Sequence, residues 1–358
     1  MNKLDVAVLG ATGMVGQRFI KLLENHPWFR VAEVIGSDRS AGRRYGDAVR
    51  WVLDEDAPSA VLDLEVKPLD SSFNSTLVFS ALPKEAAMPR EMELAEAGHI
   101  VCTNASAYRM TEDVPILLPE VNGDQLALVD EQRRVRGWSG ALVANSNCTS
   151  VPGVMTLAPL RQFGVSKVLI TSQQALSGAG HPGVPSLDAM DNVIPYVPGE
   201  EEKVEAETLK MLGRYHAGAI ATHDAIVSAT CTRVPVIDGH MVSISVELEN
   251  DPSMDGVIEA WTSFRGADPI SSLPSAPEQP VIYRTQPDRP QTRRDRMAGG
   301  GMSTTAGRLR RCSILTYKYV ALSHNTIRGA AGCSILNAEY MAVMGYIPQF
   351  QPAVGAAI

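Results

Sequence analysis

The first twenty-three residues restrict the fold more than any later stretch. Leu4 to Leu9 make a short, nearly continuous apolar run, Gly10-Ala11-Thr12-Gly13-Met14-Val15-Gly16 interrupts it, and Phe19, Ile20, Leu22 and Leu23 then recur with helical spacing. That order reads as buried parallel strand, glycine turn, helix. Glycines at such a turn allow the backbone to bend tightly and let a pyrophosphate approach the N-terminus of the helix. A bare Gly-x-x-Gly-x-x-Gly also suits a turn that only packs helix on strand. Its position after the first strand of an alternating chain favours nucleotide binding, with Gly10, Gly13 and Gly16 as contacts.

The alternation continues. Val31 to Ile35, Leu77 to Ala81 and Ile100 to Thr103 read as strands, and Lys84 to Ala97 as a helix between the last two. Strands alternating with helices predict a parallel, doubly wound sheet. After about residue 150 the texture becomes β-rich: Val168 to Ala175, Ala225 to Val236, and Met241 to Leu248, which alternates Val242, Ile244, Val246 and Leu248 with polar residues. Such alternation predicts a sheet with one wet face, in a second domain of α+β type. A chain of 358 residues, 45% of them hydrophobic, is long enough for two cores. Six prolines between Pro269 and Pro290, followed by Gly299-Gly300-Gly301, predict a long irregular loop, and a closing helix from about Ala330 to Met344 has Gly345 as its stop.

Charge and composition narrow the function. With 32 basic against 40 acidic residues the net charge is −8, which disfavours attraction to nucleic acid or anionic lipid. The longest stretch without Asp, Glu, Lys or Arg, Gly137 to Leu160, is studded with Gly, Ser, Asn, Thr and Pro, so no membrane span is expected. The N-terminus lacks the pattern of a secretory signal, and the expected location is the cytoplasm. Five cysteines without a Cys-x-x-Cys pair and seven histidines without His-x-x-x-His spacing argue against a disulfide framework and a metal site.

Several short motifs carry candidate chemistry. Cys148, in Ser146-Asn147-Cys148-Thr149-Ser150, precedes a helical run, where the helix dipole would favour a thiolate. Taken alone, such a cysteine is more often a buried small residue. Gln173-Gln174-Ala175-Leu176-Ser177-Gly178-Ala179-Gly180 ends a strand in a glycine-rich turn that can place an amide beside a substrate. Arg233 and His240 flank a turn through Pro235 and Asp238-Gly239, so the two can face one site. Glu207 and Lys210 lie three apart on one helical face. After the second strand, Ser37, Arg39 and Ser40 favour the 2′-phosphate of NADP, whereas Asp38 keeps NAD open and Arg39 and Arg43 also suit a solvated loop.

GATGMVG, SNCTS, QQALSGAG, ETLK, Arg233 with His240, and HNTIRGAAG together resemble aspartate-semialdehyde dehydrogenase, in its archaeal and fungal-type branch, in order and spacing over essentially the whole chain. The resemblance implies a Rossmann-type dinucleotide-binding domain (1–147 with about 328–358) and an α+β catalytic and oligomerisation domain (148–327) like the C-terminal domain of glyceraldehyde-phosphate dehydrogenase. It implies NADPH-dependent reduction of L-4-aspartyl phosphate to L-aspartate 4-semialdehyde, with release of phosphate, in the biosynthesis of lysine, threonine, methionine and isoleucine. Cys148 matches the nucleophile, His240 the acid/base, Gln174 the amide orienting the acyl-enzyme, and Asn147 an oxyanion donor. Arg233 matches the carboxylate-binding arginine, Glu207 the partner of the α-ammonium, Lys210 a substrate or phosphate contact and Arg109 the phosphate-binding arginine. The cofactor set is Gly10, Thr12, Gly13, Met14, Val15, Gly16, Ser37, Arg39, Ser40, Ser177, Gly178 and Asn325, and a homodimer or homotetramer is implied.

The chemistry of the residues agrees with these roles. A thiolate can expel phosphate from an acyl phosphate, and the resulting thioester accepts hydride without a second anionic group in competition. Malonyl-CoA reductase is the nearest alternative, disfavoured because its substrate has no ammonium for Glu207 to meet. N-acetyl-glutamyl-phosphate reductase and glyceraldehyde-phosphate dehydrogenase share the architecture but not the joint motif set. A nucleotide sensor that has lost the reaction would be expected to lack Cys148 or His240.

Overall fold

A computed structural model describes residues 3–348 and Phe350. Seven strands form the first sheet: β1 (Leu4–Leu9), β2 (Phe29–Ile35), β3 (Val66–Lys67), β4 (Leu77–Ser80), β5 (Ile100–Thr103), β6 (Ile116–Leu117) and β7 (Ala141–Asn145). Their order is β3-β2-β1-β4-β5-β7-β6, with every neighbouring pair parallel. Because side chains alternate along a strand, Val6 and Val8 join Phe19, Phe29 and Phe79 in one core while Ala7 and Leu9 join Val78, Leu94 and Val101 in another. Both faces are covered, which is why the strands are mainly apolar, with charged residues confined to positions such as Asp5, Arg30 and Glu33.

Strand order reverses between β1 and β4, the crevice where doubly wound sheets hold ligands. The glycine turn sits there. Gly10 has φ +70°, and a Cβ on it would lie 2.7 Å from the carbonyl oxygen of Ala81, while a Cβ on Gly16 would lie 2.2 Å from that of Gly10. The helix Met14–Leu23 can start this close to β1 only with those side chains missing.

The second sheet is mixed. It contains β8 (Val165–Gln174), β11 (Ile226–Arg233), β12 (His240–Leu248), β13 (Val281–Arg284), β14 (Thr304–Arg311) and β15 (Tyr317–Ser323), in the order β11-β8-β12-β15-β14-β13; β9 (Arg214–His216) and β10 (Ala219–Ala221) form a separate hairpin. One face packs on the helices Ser150–Leu157, Glu200–Leu212 and Met254–Thr262 through Met155, Ile170, Val204, Ile244 and Trp261. Leu169 and Ile226 are exposed.

The proline-rich stretch is not wholly irregular. It contributes β13, which pairs in parallel with β14. Its remainder closes on the buried carboxylate of Asp295, which takes bonds from Arg289, from Arg284 at 3.3 Å and from the backbone N–H of Gln291 at 2.7 Å. A strand of four residues is too short to show its alternation among prolines.

The chain crosses between the sheets twice. It leaves the first after β7 and returns after β15 through Ile327–Ala331 to the helix Gly332–Val343. That helix begins two residues later than the sequence predicts, because Ala330 is non-helical at φ −152° and ψ −106°. Ile335, Leu336 and Met341 of this helix join the core of the first sheet, and Gly345, at φ +80°, follows its end. Arg328 on the returning segment is fully buried and donates to both carboxylate oxygens of Glu120 at 2.9 and 2.8 Å.

Candidate active site

The two crossings meet at Cys148. The helix Ser150–Leu157 starts five residues after the end of β7, and Asn147 braces its entry: its Oδ1 accepts the N–H of Thr149 at 2.6 Å, and its carbonyl accepts those of Ser150 and Val151. Only the side-chain amide nitrogen of Asn147 is left as a donor for an oxyanion. On the returning crossing a Cβ at Gly329 would lie 2.6 Å from that of Cys148, so the second passage runs directly against the thiol.

A hollow of about 540 Å³ opens over the sulfur. The first domain contributes Val15 from the glycine turn, Asn104 and Arg109; the second contributes Gln174, Ser177, Gly178 and Arg233; the returning chain contributes Asn325. The glycine turn and the thiol therefore border one space. Asn325 knits its wall, donating to the Ser177 hydroxyl at 2.7 Å and accepting the N–H of Gly239 at 2.8 Å. A larger cavity of about 860 Å³, lined by Met110, Ile220 and Lys210 among others, lies apart from Cys148.

Arg233 and His240 converge as their flanking turn predicts. A Cβ on Gly178 would lie 2.8 Å from Nη1 of Arg233 and 2.9 Å from Nε2 of His240. The imidazole accepts the N–H of Ala175 on Nδ1 at 3.0 Å, so the neutral ring carries its proton on Nε2, which is buried and unpartnered. Burial, with the charges of Arg233 and His324, drives this histidine down to about 3. It is a neutral hydrogen-bond donor at neutral pH.

Cys148 differs from the thiolate expected at a helix N-terminus. Burial and the nearby carboxylate of Glu200 push the thiol up to about 12, against the pull of Arg109 and Arg233. Desolvation outweighs the helix dipole here.

Two predicted substrate contacts are turned elsewhere. Glu207 is buried beneath the hollow, with one oxygen 3.1 Å from Nη1 of Arg109 and the other accepting the N–H of Asn147 at 2.8 Å. Lys210 donates to the carbonyls of Arg109, Thr111 and Val114 at 2.7, 2.9 and 2.8 Å, which spends all three of its hydrogens. Glu200 and Lys203 line the hollow instead. They repeat the Glu-x-x-Lys spacing seven residues earlier, on the same face of the helix Glu200–Leu212 and about 10 Å nearer its N-terminus. Glu200 also accepts the Thr149 hydroxyl at 2.9 Å, beside the nucleophile. The repeated spacing was visible in the sequence; which copy reaches the hollow was not.

At the end of β2, Ser37, Asp38 and Arg39 are exposed, whereas Ser40 is buried and donates its hydroxyl to the carbonyl of Ser37 at 2.8 Å. Ser40 therefore shapes the turn, and Ser37 and Arg39 are the groups free to meet a 2′-phosphate. Among the described residues, no cluster of three or more His, Cys, Asp or Glu side chains could hold a metal, and no helix is long and apolar enough to cross a membrane.

Residues 5–129 match the family described as semialdehyde dehydrogenase, NAD binding domain, and residues 157–328 match semialdehyde dehydrogenase, dimerisation domain. The chain is 49% identical to an aspartate-semialdehyde dehydrogenase of Archaeoglobus fulgidus, over 95% of this chain and 98% of that one. It is 39% identical to a malonyl CoA reductase (NADP) of Metallosphaera sedula, over 96% and 98%. The crystal structure of aspartate semialdehyde dehydrogenase with NADP from Candida albicans superposes with a TM-score of 0.88 at 39% identity, covering 97% of this chain and all of that one.

Proposed function

The chain belongs to the aspartate-semialdehyde dehydrogenase family, and from that premise we propose that it reduces L-4-aspartyl phosphate to L-aspartate 4-semialdehyde with NADPH, releasing phosphate. One observation carries the reading. Cys148, at the entry of its helix, borders the same hollow as the glycine turn and the charged groups of Arg109, Arg233, Glu200 and Lys203.

The glycine turn suits the cofactor, since side chains at Gly10 and Gly16 would fill the cradle that a pyrophosphate needs. Thr12, Gly13, Met14 and Val15 complete the turn, Ser37 and Arg39 would meet the ribose phosphate, and Ser177, Gly178 and Asn325 would border the nicotinamide end. NADPH, when bound, supplies the hydride. The chain supplies the rest.

Cys148 sulfur attacks the acyl carbon, the carbon–oxygen bond to phosphate breaks, and the thiol proton departs with the phosphate. Arg109, with Lys203 in the role first expected of Lys210, neutralises the leaving dianion. Arg233 takes the α-carboxylate as a planar fork, and Glu200 takes over from Glu207 as partner of the α-ammonium. Leaving either of those partners unpaired would cost discrimination of about 10⁴-fold. Gln174 orients the thioacyl group, the Nδ2 of Asn147 would meet its oxygen, and His240 donates a hydrogen bond from Nε2 to the tetrahedral oxygen.

We further infer that residues 1–147 with about 328–358 form the cofactor domain and 148–327 the catalytic and oligomerisation domain; the segment 351–358 lies outside the described residues. The assembly is a cytoplasmic homodimer or homotetramer built on the open face of the second sheet, where Leu169 and Ile226 are exposed. The test is phosphate-dependent reduction of NADP by the purified protein with L-aspartate 4-semialdehyde, beside Cys148→Ala and with malonyl-CoA as competing acyl donor in the reverse direction. NADP binding without turnover in the wild type, or turnover surviving in Cys148→Ala, would overturn the reading.

A further inference from the structure

The Glu207 and Lys210 contacts lie just outside the hollow and converge on one object, the segment that carries Arg109. Lys210 surrounds its ammonium with three backbone carbonyls of residues 109, 111 and 114, and the side chain is only 5% exposed. Glu207 bridges the Arg109 guanidinium to the backbone N–H of Asn147, the residue before the nucleophile. A third tie runs from Nη2 of Arg109 to the carbonyl of Asn104 at 2.9 Å. The helix Glu200–Leu212 thus fixes a cation of the first domain against the nucleophile of the second through two side chains that do not line the hollow.

The physical need for such a tie is plain. Residues 104–115 form a connection without a strand or helix between β5 and β6, and an arginine on an untied loop would lose side-chain and backbone freedom each time it gripped an anion. A guanidinium already held by a carboxylate and a carbonyl has its fork oriented in advance, and the lysine holds the backbone from which that fork projects.

We propose that Glu207 and Lys210 are positioning residues for anion recognition: they set Arg109 relative to Cys148, and phosphate affinity depends on them although neither touches the phosphate. The inference rests on the reading of Arg109 as the phosphate-binding arginine.

The test uses the full-length protein with inorganic phosphate as the probe, comparing wild type with Lys210→Met and Glu207→Gln. The glutamine keeps an acceptor for the Asn147 N–H but removes the charge facing Arg109. Phosphate binding, measured by calorimetry, is expected to weaken about 10-fold in each variant while NADP binding stays within about 2-fold, since a loss of only 1.4 kcal/mol of preorganisation produces that factor. In turnover, KM for phosphate rises while KM for the semialdehyde is unchanged. Amide hydrogen exchange quickens over residues 105–114 in Lys210→Met and not over the glycine turn. Should Lys210→Met fail to fold, Glu207→Gln gives the phosphate readout alone. Unchanged phosphate affinity in the folded variants overturns the proposal, as does an equal loss of phosphate and NADP binding. A wild type that binds phosphate but does not turn over would instead overturn the assigned reaction and leave this proposal standing.

Discussion

Replacing Glu91 with glutamine should stabilise the protein at pH 8 and leave it nearly unchanged at pH 5. Glu91 lies on the helix Lys84–Glu96 with no exposure at all; one oxygen accepts the Thr103 hydroxyl at 2.6 Å and the other has no partner. Burial raises its carboxyl from 4.5 to about 7, tempered by the hydroxyls of Ser80 and Thr103. Because the folded state holds this proton more tightly than the unfolded chain, its contribution to stability is complete below pH 4.5 and is lost as pH rises through 7. At about 1.4 kcal/mol per pH unit the full loss is about 3 kcal/mol, most of it between pH 5 and pH 8. Glutamine stays neutral throughout, and its carbonyl can keep the Thr103 bond. With an unfolding entropy of about 2.1 cal/mol/K per residue, the thermal midpoint of Glu91→Gln should gain about 3 °C on the wild type between the two pH values. Scanning calorimetry or dye-monitored melting of both proteins across pH 5 to 8 measures the difference. Parallel curves would refute the argument. The site matters for function because the Thr103 hydroxyl also accepts the N–H of Ala105, at the start of the loop that leads to Arg109.

Three further outcomes can be checked directly. With its thiol pushed up to about 12, Cys148 in the free protein should react with iodoacetamide at a rate that climbs about tenfold per pH unit between pH 8 and 10, followed by peptide mapping because Cys312, whose backbone contacts lower its thiol, reacts first; a plateau from pH 6 upward would show a thiolate already formed. Gly178→Ala, which drives a methyl group against Arg233 and His240, should lower kcat/KM about 100-fold with the melting temperature little changed, whereas retained activity would mean that neither side chain works from its present place. Arg328→Met should cost about 3–5 kcal/mol by leaving Glu120 buried and unpaired, visible as a large fall in melting temperature; a loss under about 1 kcal/mol would show that water reaches the pair.

Sequence reading succeeds where a local pattern has one structural solution. Leu4–Leu9 and Ile100–Thr103 are strands with the bounds their apolar runs imply, because a parallel strand covered on both faces is mainly apolar. The two-residue strands β3 and β6, and β13 among prolines, leave too few residues for any period to register. At the site, the motif order picks out Cys148, Arg233 and His240, since each sits at one end of a strand or just before a helix. What remained hidden depends on contacts between distant segments. Glu207 and Lys210 share a helical face with Glu200 and Lys203, and only the position of the first domain decides which pair meets the hollow and which lies beneath Arg109. Likewise, a sequence names His240 but not the nitrogen that keeps its proton, which the N–H of Ala175 determines.

Two strands of backbone joining two bodies act as a door hung on paired hinges, not as a ball joint. The outgoing passage at Cys148 and the incoming one at Gly329 run side by side, so they define a line about which either body must swing. Displacement in any such swing grows with distance from that line. Any swing the remaining contacts permit would carry the glycine turn farther than the sulfur, which is seated on the axle.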